Sequence, residues 1–285
     1  MTRELEAMVI LTENHTLVSP GDLSGLVDLA VAAERGGAGA VMLSDHVCLG
    51  PEAGALGRMR NPREYAAPGN QDPATAWPSS IVMAAAIAAK TTRVRIALAA
   101  LITPLRNPLV LAKDLATLDR LSAGRIVVQP TVSWSAEEYA AVGVSFAERG
   151  HILDDGLAAM KALWRSAPAR HRGPYFEFSD VYSRPGPLRP DGPTLWFGGQ
   201  QLHRPLLRRL VRYGAGFHPF GQPTPTDLER LADALAEAGR SPTDLEMIGG
   251  TRAAFAGADD LADLDAAMSS FPDQIAAGFS TFCMK

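Results

Sequence analysis

Between residues 93 and 164, two strand-like apolar runs are each followed directly by a segment of helical period. The runs, at 94–102 and 125–128, fit buried strands. The segments after them, LRNPLVLAKDLATLDRLSAGR and WSAEEYAAVGVSFAERGHILDDGLAAMKALW, carry apolar residues at helical spacing. Strand, helix, strand, helix in succession predicts parallel strands with covering helices, because parallel neighbours need a crossover between them.

The same alternation runs through the whole chain. Strand signals fall at 8–13, 40–44, 95–103, 125–129, 194–198, 215–218, 246–250 and 280–284, eight in all. Helical signals lie between them at 22–35, 77–90, 108–121, 148–164, 205–213, 226–238 and 259–277, seven in all. Ser122-Ala123-Gly124 ends one helix with a glycine free to take positive φ, and Ser241-Pro242 blocks continuation of another. This count predicts an α/β fold, a (β/α)8 barrel using residues 1–285 as one domain and lacking a helix after its eighth strand. A doubly wound open sheet is the alternative. The absent helix would leave apolar wall for a second copy to cover, so a homodimer is expected. Two connections, 50–73 and 166–193, are longer than a barrel requires and read as lids or binding loops. Within the second, the aromatic cluster 175–178 is expected to form a short hairpin packed on the barrel.

Composition excludes several classes of function. A net charge of -4 gives no basic face for nucleic acid, and no apolar run approaches the roughly 20 residues of a membrane span. Arg3, Glu4 and Glu6 sit where a secretory leader would need its apolar stretch. A cytoplasmic protein whose partners are small molecules or other protein chains is expected. Its two cysteines, Cys48 and Cys283, have no metal-ligand spacing, and its six histidines form no HxxxH or HExxH pattern. Neither a disulfide framework nor a metal site is indicated.

The wording of the central segment resembles the luciferase-like flavin and deazaflavin oxidoreductases. LRNPLVLAKDLATLDRLSAGR and the following WSAEEYAAVG segment carry the resemblance, supported by GAGAVMLSDH at 37–46, PTLWFGGQQ at 193–201 and YGAGFHP at 213–219. It implies a (β/α)8 barrel that binds FMN or coenzyme F420, an 8-hydroxy-5-deazaflavin, at the C-terminal ends of the strands. The LRNP, LSAGR and AERG wording is most similar to the deazaflavin branch. That implies an F420-dependent oxidoreductase moving a hydride between the cofactor and a small organic substrate. An FMN-dependent monooxygenase on the same fold is the alternative. A third reading is a barrel without a redox cofactor that binds a ligand or performs non-redox chemistry.

The resemblance also assigns candidate site residues. Asp45 and His46 close the second strand and so face the barrel mouth. The match implies that His46 acts as acid or base and Asp45 holds the cofactor. An imidazole with an ordinary pKa of about 6.5 can give or take the proton that accompanies a hydride. The plainer reading is a loop cap and a packed ring. Gly198, Gly199, Gln200 and Gln201 match the family's phosphate-binding turn, where glycines admit an anion and the helix start near Pro205 offers N–H groups. Arg204 and Arg208 would support it. Ala99-Ala100-Leu101 matches a bulge with a cis non-prolyl peptide, which would set Ala100 and Leu101 against the cofactor ring.

There are two departures from the family wording. Leu98-Ala99 stands where relatives read Gly-Thr, and Gln129-Pro130-Thr131-Val132-Ser133-Trp134 where they read Gly-Val-Gly-x-Gly-Trp. At the second, Gln129 and Thr131 are candidates for hydrogen bonds to the ring edge or a substrate. Trp134 could stack on a planar group, or pack at the entrance of a helix capped by Ser133 or Ser135. Glu137 and Glu138 read as that helix's acidic first turn. His218 and His15 also follow strands on this side. The 50–73 loop would exclude water, its Arg58, Arg60 and Arg63 meeting an anionic cofactor tail.

Overall fold

Ten short strands and nine α-helices alternate along the described residues of a computed structural model, which are 4–12, 18–19, 21–57, 69–221, 223–251 and 260–284. In chain order the strands are β1 (Glu6–Ile10), β2 (Ala40–Leu43), β3 (Arg95–Ile102), β4 (Ile126–Thr131), β5 (Ala169–Arg172), β6 (Glu177–Val181), β7 (Thr194–Gly199), β8 (Gly216–Pro219), β9 (Glu246–Gly250) and β10 (Thr281–Met284). The helices are α1 (Leu23–Arg35), α2 (Ser80–Lys90), α3 (Pro108–Leu121), α4 (Ala136–Val142), α5 (Arg149–Arg165), α6 (Arg204–Tyr213), α7 (Pro225–Glu237), α8 (Leu264–Met268) and α9 (Phe271–Ala276).

Eight of the strands close a parallel barrel in the order β1-β2-β3-β4-β7-β8-β9-β10, with β10 pairing back to β1. The (β/α)8 expectation holds, and all eight barrel strands overlap their sequence signals. The remaining pair, β5 and β6, forms the antiparallel hairpin expected around the 175–178 cluster. It is fastened to α5 through Asp155, which accepts from the Tyr175 and Phe176 amides and pairs with His171 Nε2 at 2.8 Å.

Local chemistry explains the helix boundaries. Asn107 accepts from Leu109 N at 2.9 Å and Pro108 opens α3, where its missing N–H costs nothing. Beyond Leu121, Ala123 and Gly124 take φ of 53° and 82°, and Gly124 N returns to Asp119 O. The helix expected from Trp77 begins at Ser80 instead. The single helix expected over 259–277 is two short ones, because Ser269 and Ser270 interrupt it and Pro272 can only restart a helix at its first turn. The counted signals also omitted α4.

The core has two layers. Between barrel and helices lie residues such as Leu43, Ile96, Leu115, Leu157 and Phe197. The lumen holds Met8, Met42, Ala97, Val127, Trp196, Ile248 and Cys283. Trp196 fills the lumen so tightly that a Cβ on Gly216 of the neighbouring strand would lie 2.3 Å from its ring. The lumen's N-terminal end is closed by charge. Arg95 donates to Glu246 at 2.7 and 2.9 Å and to Glu6, Thr281 donates to Glu246, and the guanidinium sits 5.4 Å from the Trp196 ring centroid. Burial opposes the Arg95 charge, but the bonds and charges of Glu246 and Glu6 outweigh it and raise its pKa. The floor is plugged, so chemistry is left to the C-terminal mouth. No helix among the described residues is long and apolar enough to cross a membrane.

Candidate active site

The chain leaves β2 at Leu43 and reaches Asp45 and His46 at the mouth, where their environments differ sharply. Both Asp45 oxygens are filled by the protein. Oδ2 accepts from Ile102 N at 3.0 Å and Arg106 Nη1 at 2.8 Å, while Oδ1 accepts from Ser80 Oγ and Arg106 Nη2, each at 2.9 Å. A carboxylate taking a two-pronged guanidinium and two further donors has its acceptor capacity used. Asp45 therefore braces β2 against β3 and α2, and its carboxylate is not open to a ligand.

His46 is held differently. Its Nδ1 lies 3.3 Å from Oε2 of Glu138, a fully buried carboxylate on α4. The other oxygen of Glu138 accepts from the amides of Val47 at 2.5 Å and Cys48 at 3.4 Å. Facing an ionised carboxylate, which only accepts, Nδ1 would be the donor of this pair. Two indoles fix the imidazole plane: Trp77 at 5.0 Å and Trp134 at 5.6 Å between ring centroids, both edge-to-face. The Trp77 indole N–H and the Ser133 hydroxyl are buried here without a hydrogen-bond partner.

A second polar group lies across β4, β8 and β10. Gln129 Oε1 accepts from His218 Nδ1 at 2.8 Å, and His218 Nε2 faces Cys283 Sγ at 3.5 Å. Burial pushes His218 down to about 4 and the Cys283 thiol up to about 12. At neutral pH both are uncharged, and the pair is no thiolate nucleophile.

The remaining candidates divide by position. The Ala99-Ala100 peptide is cis, and the β3–β4 register shifts between Ala99 and Leu101, as the expected bulge requires. Ala100 is half-buried, but Leu101 is fully buried in the layer between barrel and helices. Thr131 and Trp134 are half-buried at the end of β4. Gly198 is a glycine because β8 runs against it: a Cβ there would lie 1.9 Å from His218 O. Gly199 has more room, with Leu206 Cδ2 the nearest atom at 3.4 Å. Gln200 and Gln201 are exposed. In the first turn of α6, the Leu206 amide is already capped by His203 Nδ1 at 3.2 Å, and Pro205 has no N–H. Arg208 and Arg209 both pair with Asp154, at 2.6 and 2.7 Å. His15, Arg58, Arg60 and Arg63 lie outside the described residues.

Sequence reasoning missed Glu138, Trp77 and Arg106. Glu138 looks like any acidic first-turn residue, and its partner is 92 residues away. No group of three metal-ligating side chains occurs among the described residues.

A profile of the luciferase-like monooxygenase family matches residues 7–280. An uncharacterised protein of Mycobacterium tuberculosis is 36% identical over 110 residues, 39% of each chain. The matched stretch is thus well under half of that relative's length. A second uncharacterised protein of that organism is 28% identical over 232 residues, 80% of this chain and 77% of the other. The FMNH2-dependent dimethylsulfone monooxygenase of Pseudomonas putida is 28% identical over 123 residues, 42% of this chain and 34% of that enzyme. Among solved structures, an F420-dependent secondary alcohol dehydrogenase with an F420-acetone adduct superposes with a TM-score of 0.72 at 15% identity, covering 99% of this chain and 93% of that one. A monooxygenase from Streptomyces bottropensis gives 0.70 at 20% identity, covering 99% and 92%. At these identities the structural likeness bears on the fold alone.

Proposed function

This chain belongs to the luciferase-like monooxygenase family, and from that premise we propose that it is an F420-dependent oxidoreductase acting on a small organic substrate. The substrate's reacting carbon bears oxygen or nitrogen. Bound F420 would supply or accept the hydride. The observation that carries the reading is the His46–Glu138 pair, an imidazole at the barrel mouth whose Nδ1 is held 3.3 Å from a buried carboxylate. Forming or reducing a carbon–oxygen double bond by hydride transfer moves one proton as well, and His46 is built to move it.

Features of the mouth fit a flat, oxygen-edged ring. Ala100 keeps the wall small at the β3 bulge. Gly199, with Gln200 and Gln201 after it, is the place where this chain would admit the cofactor phosphate; Gly198 contributes by letting β7 approach β8. Thr131 and Trp134 would line the ring's other side. Asp45 acts indirectly, by holding the strand ends from which His46 projects. Glu138 orients His46, and the two indoles keep water from it.

FMN dependence is the second reading, favoured by the stretch shared with the dimethylsulfone monooxygenase. Titrating F420 and FMN separately against melting temperature decides between them, since a native-state ligand at a hundred times its Kd adds about 2.7 kcal/mol. Selective stabilisation by F420 is expected. No response to either cofactor would leave the non-redox barrel. With F420 bound, His46→Ala should slow turnover with little loss of cofactor affinity, and Glu138→Gln should slow it about 10- to 100-fold, as loss of an orienting partner does. Unchanged turnover in both variants would remove the assigned roles.

A further inference from the structure

The two adjacent carboxylates that open α4 both grip one distant segment, residues 46–54. Glu138 holds its start, accepting from the Val47 and Cys48 amides and facing His46 Nδ1. Glu137 holds its continuation, with Oε2 accepting from the Glu52 amide at 3.1 Å. That amide lies in the first turn of a short 3-10 helix, Pro51–Gly54, whose N-cap residue Gly50 has no side chain to supply a cap. Glu137, 85 residues away, supplies it instead.

Gly50 shows that this contact is built into the chain. Its φ of -97° and ψ of 176° are extended values open to any residue, so the backbone does not call for glycine. The Glu137 carboxylate does: a Cβ on Gly50 would lie 2.2 Å from its Cδ and Oε2 and 2.4 Å from its Oε1. An acidic residue in a first helical turn is explained by the helix dipole, but the dipole does not explain a carboxylate seated over a glycine of another segment. The 3-10 turn passes the restraint on. Ala53 O accepts from Gln71 N at 2.8 Å, and the chain from Gln71 leads to Trp77, whose ring packs edge-on against His46.

We propose that Glu137 is a positioning residue for His46, acting through Gly50 and the 3-10 turn. Between Val47 and Glu52 the chain is tied at both ends to neighbouring residues of one helix. So short a span leaves the Val47 and Cys48 amides little freedom to leave Glu138, which keeps the imidazole facing the buried carboxylate. Untied at Glu52, the segment frays back toward His46. This rests on the role proposed above for His46.

The test needs no substrate. In isotope-labelled protein followed by NMR, the His46 ring nitrogens, assigned against His46→Ala, show which of them carries the proton when the imidazole is neutral. Hydrogen exchange of the Val47 amide reports its bond to Glu138, and the melting temperature of each protein is measured alongside. Wild type should carry the proton on Nδ1. Glu137→Ala should exchange the Val47 amide about tenfold faster, the loss of roughly one hydrogen bond, and shift His46 to a mixture of tautomers. Gly50→Ala, which keeps Glu137 but displaces its carboxylate, should do the same, and it carries the comparison if Glu137→Ala does not fold. Glu137→Gln, whose amide oxygen can still accept from the Glu52 amide, should keep the wild-type signature. A lower melting temperature in Glu137→Ala and Gly50→Ala with His46 and Val47 unchanged means a role in stability alone and overturns the inference. A wild type protonated on Nε2 overturns it together with the role of His46, while the cofactor titration tests the redox reading independently.

Discussion

His46 and His218 end parallel strands of one barrel mouth, yet their neighbours give them different chemistry. His46 faces a buried carboxylate and His218 faces an amide and a thiol, so His46 has a partner suited to a proton-moving imidazole and His218 does not. Burial lowers the His218 pKa from 6.5 to about 4, which ties stability to pH. Between those values the unfolded chain binds a proton that the folded chain excludes. The stabilisation is complete above about pH 6.5 and falls as pH drops toward 4, by on the order of 3 kcal/mol. In urea denaturation, the stability difference between wild type and His218→Asn should therefore shrink from pH 7 to pH 4.5. A difference independent of pH would show that His218 is not buried neutral. Individual residues of this kind were only partly legible from sequence. Asp45 and His46 are adjacent, but the direction each side chain takes, one into a closed ion pair and one toward Glu138, depends on residues 61 and 92 positions away.

At the scale of elements, the motifs that identify the family turn out to hold the barrel together. In LRNP, Arg106 clamps Asp45, Asn107 caps α3 and Pro108 begins it. In LSAGR, Arg125 donates to Ser122 O, Val94 O, Thr91 O, Thr91 Oγ1 and Ala88 O, joining the end of α2 to the starts of β3 and β4. Such fork-shaped, multi-donor contacts tolerate few substitutes. That is why these motifs identify the fold and say little about the substrate. The glycine pair after β7 divides along the same line. Gly198→Ala should cost about 3 kcal/mol or more in stability, because its Cβ would collide with the β8 backbone. Gly199→Ala should stay within about 1 kcal/mol while weakening any phosphate contact. Equal destabilisation by the two, measured by chemical denaturation, would contradict these assignments.

At the scale of the whole molecule, the barrel is polar at both ends and apolar between them. Arg95, Glu6, Glu246 and Thr281 come from β3, β1, β9 and β10, so the cluster forms only when the sheet has closed. Removing the Arg95 charge leaves the half-buried carboxylates of Glu6 and Glu246 without their shared partner. Arg95→Met should therefore cost about 1.5–3 kcal/mol, the range of a hydrogen bond to a charged group, and adding Glu246→Gln should recover part of it. Additive losses in that double variant, read from urea midpoints, would mean the groups do not interact. Short apolar strands and amphipathic helices are local patterns, and their order along the chain leaves few ways to bury both faces of a parallel sheet. The sequence by itself therefore determined the barrel, its strand order and the side on which a site must lie. Which polar groups meet there was decided only by the tertiary structure. Hydrogen bonds and burial act over a few ångströms between residues dozens of positions apart, and no local pattern records the meeting of His46 with Glu138 or leaves Ser133 without a partner.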